Sequence, residues 1–171
     1  KKEKYEVDPT LQEYWTGLPD ILDQIDDVIW AETPLLEQHE YALSGDGIGR
    51  VWGLDENRAW TGSPDIIGIV KGKITLADIK TSFKPYCRFW PKEFEKGSPE
   101  WRDRLSGFMK FKKTCQQLGA YSIGINQTLG LKIDQAAIIV STPETSQLFK
   151  ISRRQLDRSE ATWLKTVAEY Y

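Results

Sequence analysis

The 171-residue sequence predicts a single α/β domain, and three observations carry that expectation. Residues 65–70 and 74–80 are two runs of aliphatic and β-branched residues on either side of Lys71-Gly72, the pattern of an antiparallel hairpin. The continuously apolar Ala136-Ala137-Ile138-Ile139-Val140 suits a strand buried on both faces, as in a sheet covered by helices. Between hairpin and strand lies a long basic region of helical character that runs through 121–125, and there is no internal repeat or low-complexity tract.

In chain order, Asp8-Pro9-Thr10 opens a helix through Leu11, Tyr14, Trp15, Leu18, Ile21, Leu22 and Ile25, bent at Gly17 to Pro19. Strands follow at 28–32, 36–43, 51–54, 59–61, 65–70 and 74–80. After the basic helical region come a strand at 135–142, a short strand at 148–151 and a closing amphipathic helix from Arg153 to about Tyr170. The glycine-rich Ser44-Gly45-Asp46-Gly47-Ile48-Gly49-Arg50 lacks the Lys-Ser/Thr ending of a phosphate loop and reads as a hairpin loop in an inserted ribbon.

A two-residue turn at Lys71-Gly72 places Asp65 directly opposite Asp78, with Lys80 on the same face two residues later. Opposed like charges are unfavourable in a sheet unless a cation lies between them. A divalent metal supplies one: carboxylate oxygens suit Mg²⁺ or Mn²⁺, and the Ile79 carbonyl adds a further oxygen. Metal-bound water and a neighbouring ammonium, here Lys80, make a phosphodiester hydrolase.

Gly62-Ser63-Pro64-Asp65 followed by Asp78-Ile79-Lys80-Thr81-Ser82 resembles the PD-(D/E)xK nuclease superfamily, and specifically its RecB-like exonuclease branch. Gln117-Leu118-Gly119-Ala120-Tyr121 reproduces the Gln-x-x-x-Tyr motif of that branch. Residues four apart share a helix face, so Gln117 and Tyr121 point to one cleft. The resemblance implies a restriction-endonuclease-like αβββαβ core, a mixed central sheet flanked by helices, here with an extended β-ribbon before the Pro-Asp strand. It implies that Gln117 and Tyr121 position metal or substrate strand without taking part in bond making. It also implies a Glu on the preceding strand: Glu32, ending Val28-Ile29-Trp30-Ala31-Glu32, is the first choice, with Glu37 and Glu40 as competitors. The family's helical His has no counterpart upstream; His39, the only histidine, sits among the Glu candidates and reads as a structural residue. The chain begins at Lys1 without Met, which reads as a missing native N-terminus.

With 40% hydrophobic residues and seven Trp the chain can bury one substantial core. No apolar run approaches a membrane span and no leader resembles a signal peptide, so a soluble intracellular domain is expected, of bacterial or phage-infected cytoplasm with an organelle left open. Two cysteines, Cys87 and Cys115, cannot hold the four-thiolate iron–sulfur cluster of some RecB-like relatives; free thiols are expected.

The net charge of −2 hides an asymmetry. From Phe83 to Lys113 nine cations face four anions, leaving −7 on the remainder, so a polyanion meets one basic segment beside an acidic site. The same segment interleaves rings with the cations, as a single-strand groove does. Tyr86, Phe89 and Trp90 are the preferred stacking rings, Thr81 and Ser82 the preferred phosphate contacts, and Lys84, Arg88, Lys112 and Lys113 the preferred cations.

The expected function is a Mg²⁺- or Mn²⁺-dependent DNA exonuclease on single-stranded or frayed ends, with DNA and replication or recombination proteins as partners. A structure-specific or sequence-specific endonuclease on the same fold is the first rival, and a non-cleaving nucleic-acid-binding module the second.

Overall fold

Asp8 organises the first turn by accepting from the Thr10 N–H at 2.8 Å, which starts a 3-10 turn (Pro9–Leu11) that runs into helix α1 (Gln12–Trp15). Gly17, at φ 78°, breaks the chain before helix α2 (Leu18–Leu22). The expected bent helix is thus two short ones, because a left-handed residue cannot continue an α-helix. The computed structural model describes residues 8–31, 51–55 and 58–170; the strand expected at 36–43, the loop at 44–50, Glu32, Glu37, His39 and Glu40 lie outside them.

Strand β1 (Asp27–Ala31) is followed by β2 (Val51–Asp55), β3 (Arg58–Gly62), β4 (Ile66–Val70) and β5 (Lys73–Thr81), then the long helix α3 (Pro99–Leu129), β6 (Gln135–Ser141), β7 (Ser146–Ser152) and helix α4 (Arg153–Tyr170). Lys71 and Gly72 take φ 53° and 71°, the two left-handed positions of a type I′ hairpin turn. Val70 then pairs with Lys73 and Ile66 with Ala77, the register expected from the sequence. The five-stranded sheet has the order β1-β4-β5-β6-β7, parallel only at β5/β6, where α3 makes the crossover. The helix, three-strand, helix, strand order of the expected core is therefore present in a mixed sheet flanked by helices. The ribbon β2/β3 stays off that sheet as a two-stranded sheet of its own.

One sheet face packs Ile67, Leu76, Ile138 and Val140 against Phe111, Leu118 and Ile125 of α3, with Leu156 of α4 joining. The other face meets Leu18 through Ala77 and Ile139. Residues 83–98 are irregular rather than helical. Pro85, Pro91 and Gly97 interrupt any helical run there, and α3 starts where the Ser98 hydroxyl accepts from the Trp101 N–H at 3.1 Å.

Candidate active site

Side chains alternate along β5, so Leu76, Asp78 and Lys80 share the face that Leu76 buries against α3. Asp65 precedes β4, and its Oδ2 accepts from the Ile79 N–H at 2.5 Å, continuing the hairpin by one side-chain rung past the Ile66–Ala77 pair. Asp78 is 1% exposed, and Lys80 Nζ lies 2.7 Å from its Oδ2. The structure thus brings Asp65, Asp78 and Lys80 together, and Lys80 itself supplies a cation to the opposed carboxylates.

Burial of Lys80 would by itself lower its pKa, but the hydrogen bond and charge of Asp78, then the charges of Asp65 and Tyr121, outweigh it and hold the ammonium above the ordinary lysine value. Lys80 is therefore charged throughout the neutral range. The stability it contributes is present below the ordinary lysine pKa and is lost only as pH rises through the raised folded value.

On α3, Gln117 Nε2 donates to the Tyr121 hydroxyl at 2.6 Å. Burial raises the Tyr121 pKa; Gln117 and Lys80 oppose that, while Asp78 and Asp65 add to it, and the phenol stays protonated. Its four electrostatic neighbours are the expected site residues. The ribbon closes over the ring: a Cβ on Gly62 would lie 2.3 Å from Tyr121 Cε1. Trp60 fastens the ribbon by donating from Nε1 to the Ala120 carbonyl at 3.3 Å and packing edge-on to Trp163 at 5.8 Å. A glycine at 53 is required for this, since a Cβ there would fall 2.0 Å from the Trp60 ring.

Several expected nucleic-acid contacts are rearranged. Tyr86 is only 8% exposed, its N–H donates to Gln147 Oε1 at 2.8 Å, and its ring belongs to the core, so it is not a stacking surface. Ser82 is buried, with its hydroxyl donating to the Lys84 carbonyl at 2.8 Å and accepting from Lys110 Nζ at 3.0 Å; it ties α3 to the end of β5 instead of meeting phosphate. Arg88 donates to the Lys150 carbonyl of β7 at 3.3 Å, which turns it toward that edge of the sheet. Lys84 pairs with Asp103 at 2.6 Å, with both groups exposed, a contact worth little to stability. Thr81 is exposed, Phe89 is 77% exposed, and Trp90, 46% exposed, leans edge-on against Trp101 and Phe108. Lys113 lies one turn before Gln117, whereas Lys112 sits over the Phe108 ring.

Lys110 is the site-side cation that the sequence reading did not single out. Its spacing held the signal, since Lys110, Gln117 and Tyr121 recur at the period of one α-helical face.

Among the described residues no group of three or more His, Cys, Asp or Glu is placed to hold a metal ion, so the described donor set consists of two carboxylates. That set still fits Mg²⁺ or Mn²⁺, which take hard oxygens and keep several waters when protein ligands are few. Ala31 pairs with Ile66, the neighbour of Asp65, and Glu32 is the next residue after Ala31 in the sequence. Both cysteines are free, and burial pushes the Cys115 thiol up to about 11 against a smaller opposing effect of Arg88, which leaves it an inert thiol at neutral pH. No helix among the described residues is long and apolar enough to cross a membrane.

No family model and no curated protein matches the chain. Among solved structures it is similar to a protein from Eubacterium rectale that carries the name of an exonuclease, with a TM-score of 0.43 and 12% identity over 91% of this chain and 44% of that one. It is also similar to the protein SSO0001, with a TM-score of 0.34 and 16% identity over 68% of this chain and 48% of that one. The chain spans less than half the length of either structure. At these scores neither likeness says what the site does.

Proposed function

We propose that this chain is a metal-dependent nuclease that hydrolyses phosphodiester bonds in DNA, acting as an exonuclease on single-stranded or frayed ends. The observation that carries the proposal is the convergence of Asp65, buried Asp78 and Lys80 at one end of the β4/β5 hairpin, beneath the Gln117–Tyr121 pair. Asp65 and Asp78 would hold Mg²⁺ or Mn²⁺, with the Ile79 carbonyl as a neutral oxygen and Glu32 or Glu37 assisting. When bound, such an ion lowers the pKa of a coordinated water and offsets charge on a phosphoryl oxygen.

The chain's own groups supply the rest. Lys80 donates hydrogen bonds and positive charge to a phosphate that gains negative charge in the transition state. Gln117 occupies one side of the Tyr121 oxygen, which leaves the phenol proton to point elsewhere and makes Tyr121 a fixed donor. The exposed Phe89 and Trp90 rings offer a stacking surface to unpaired bases.

The test is incubation with 5′- and 3′-labelled single strands, duplexes and closed circles in Mg²⁺ or Mn²⁺, with EDTA as control. Progressive loss of nucleotides from ended strands, with circles intact, is the expected result. Cutting of circles would make the enzyme an endonuclease, and no cleavage with either metal would sink the reading in favour of a binding module.

Tyr121 has its own test in Gly62→Ala. The added Cβ collides with the ring, which must move by about an ångström, and displacement of that size can lower turnover roughly 10- to 100-fold. Steady-state cleavage kinetics check it; an unchanged kcat in the folded variant would show that the position of Tyr121 is irrelevant.

A further inference from the structure

A groove of about 390 Å³ runs between α3 and α4. Its charged lining consists of Lys112 and Lys113 from α3 and Arg158 from α4, and no Asp or Glu lines it among the described residues. All three cations are exposed. In a chain of net charge −2 this is a concentrated positive strip, and concave positive surfaces collect polyanions.

The neutral groups of the groove narrow the chemistry. Gln116 Nε2 donates to Thr166 Oγ1 at 2.6 Å. The Thr162 and Thr166 hydroxyls donate back to the Arg158 and Thr162 carbonyls at 2.7 and 3.0 Å. With these donors occupied within the protein, charge remains as the means of recognition. That suits repeated phosphates, which position a strand without reading its bases.

The groove and the site share helix α3. Lys113 is one turn before Gln117 and eight residues before Tyr121 on the same helix, about 12 Å along its axis. We infer that the α3–α4 groove holds the backbone of the nucleic-acid strand beyond the scissile bond, with Arg158 as its far-wall phosphate contact and no preference for base sequence. This rests on the proposed nuclease function and assigns the strand a path.

The experiment measures binding of a long single-stranded oligonucleotide and of a dinucleotide by fluorescence anisotropy, in EDTA across a salt series, for the wild type, Arg158→Glu, Arg158→Lys and Thr162→Glu. Loss of one phosphate contact lowers the salt slope by about 0.7 for a single strand, and charge reversal weakens long-strand binding roughly tenfold at moderate salt. Arg158→Glu removes that contact and Thr162→Glu sets an anion against the same phosphate, so both should lower the slope and weaken long-strand binding; Arg158→Lys should keep the wild-type slope, and the dinucleotide should not distinguish the four proteins. Wild-type slopes in both Glu variants would overturn the groove while leaving the nuclease reading standing. A wild type that binds no strand and cleaves none would overturn both.

Discussion

Asp78→Asn is expected to lower kcat for DNA cleavage by at least about 10³-fold while leaving the far-UV circular dichroism of the protein unchanged. The substitution keeps the shape of a side chain that is 1% exposed in the middle of the sheet and keeps a carbonyl oxygen for Lys80, 2.7 Å away. What it removes is the negative charge. Asp65 alone is then left as a charged ligand for a divalent ion. The loss should therefore appear in metal binding as well as in turnover. At a metal concentration of 100 Kd the wild type gains about 2.7 kcal/mol of stability, seen as a rise in Tm, and the variant should gain none. Wild-type cleavage by purified Asp78→Asn protein would remove Asp78 from the chemistry.

The legibility of this site in the sequence has a physical boundary. The hairpin could be read because a two-residue turn and a period of two leave one register free, and Lys71-Gly72 does adopt two positive φ values. That fixed Asp65 opposite Asp78 before any tertiary contact was considered. Gln117 and Tyr121 could be read because helical spacing is equally rigid. The irregular segment 83–98 offered no such period. Whether Tyr86 or Phe89 faces solvent was decided by Gln147, which bonds both the N–H and the carbonyl of Tyr86 from a strand 61 residues away. Ser82 was settled in the same way by Lys110, 28 residues on. Composition marked the segment as basic and aromatic, and only packing could sort its rings into core and surface.

Gly119 shows the same limit in the middle of a motif that was legible, and it leads to the largest expected effect on stability. A Cβ at this position would lie 2.4 Å from the Ser159 carbonyl carbon and 2.6 Å from the Glu160 nitrogen, both backbone atoms of α4 that cannot rotate away. Gly119→Ala must therefore push α4 off α3. That shift strains the ties of α4 to its surroundings, where Arg153 donates to the Ile133 carbonyl at 2.8 Å, pairs with Glu160, and Glu160 accepts from the Ser122 hydroxyl at 2.7 Å. Overpacking of this kind costs about 1–3 kcal/mol and occasionally more. Helix propensity works in the opposite direction, since Ala at an interior helical position is favoured over Gly by about 1 kcal/mol. The two effects differ in sign, which makes the measurement decisive. Chemical denaturation should show Gly119→Ala to be less stable by about 1 kcal/mol, the overpacking cost less the propensity gain, with Gly119→Val worse still because its branched side chain adds bulk against the same backbone. A more stable Gly119→Ala would mean that propensity alone governs the position and that α3 and α4 do not approach as closely as described. Since Gln117 and Tyr121 flank Gly119 on α3, the destabilised variant should also lose cleavage before it unfolds, as the helix that carries them moves against β5.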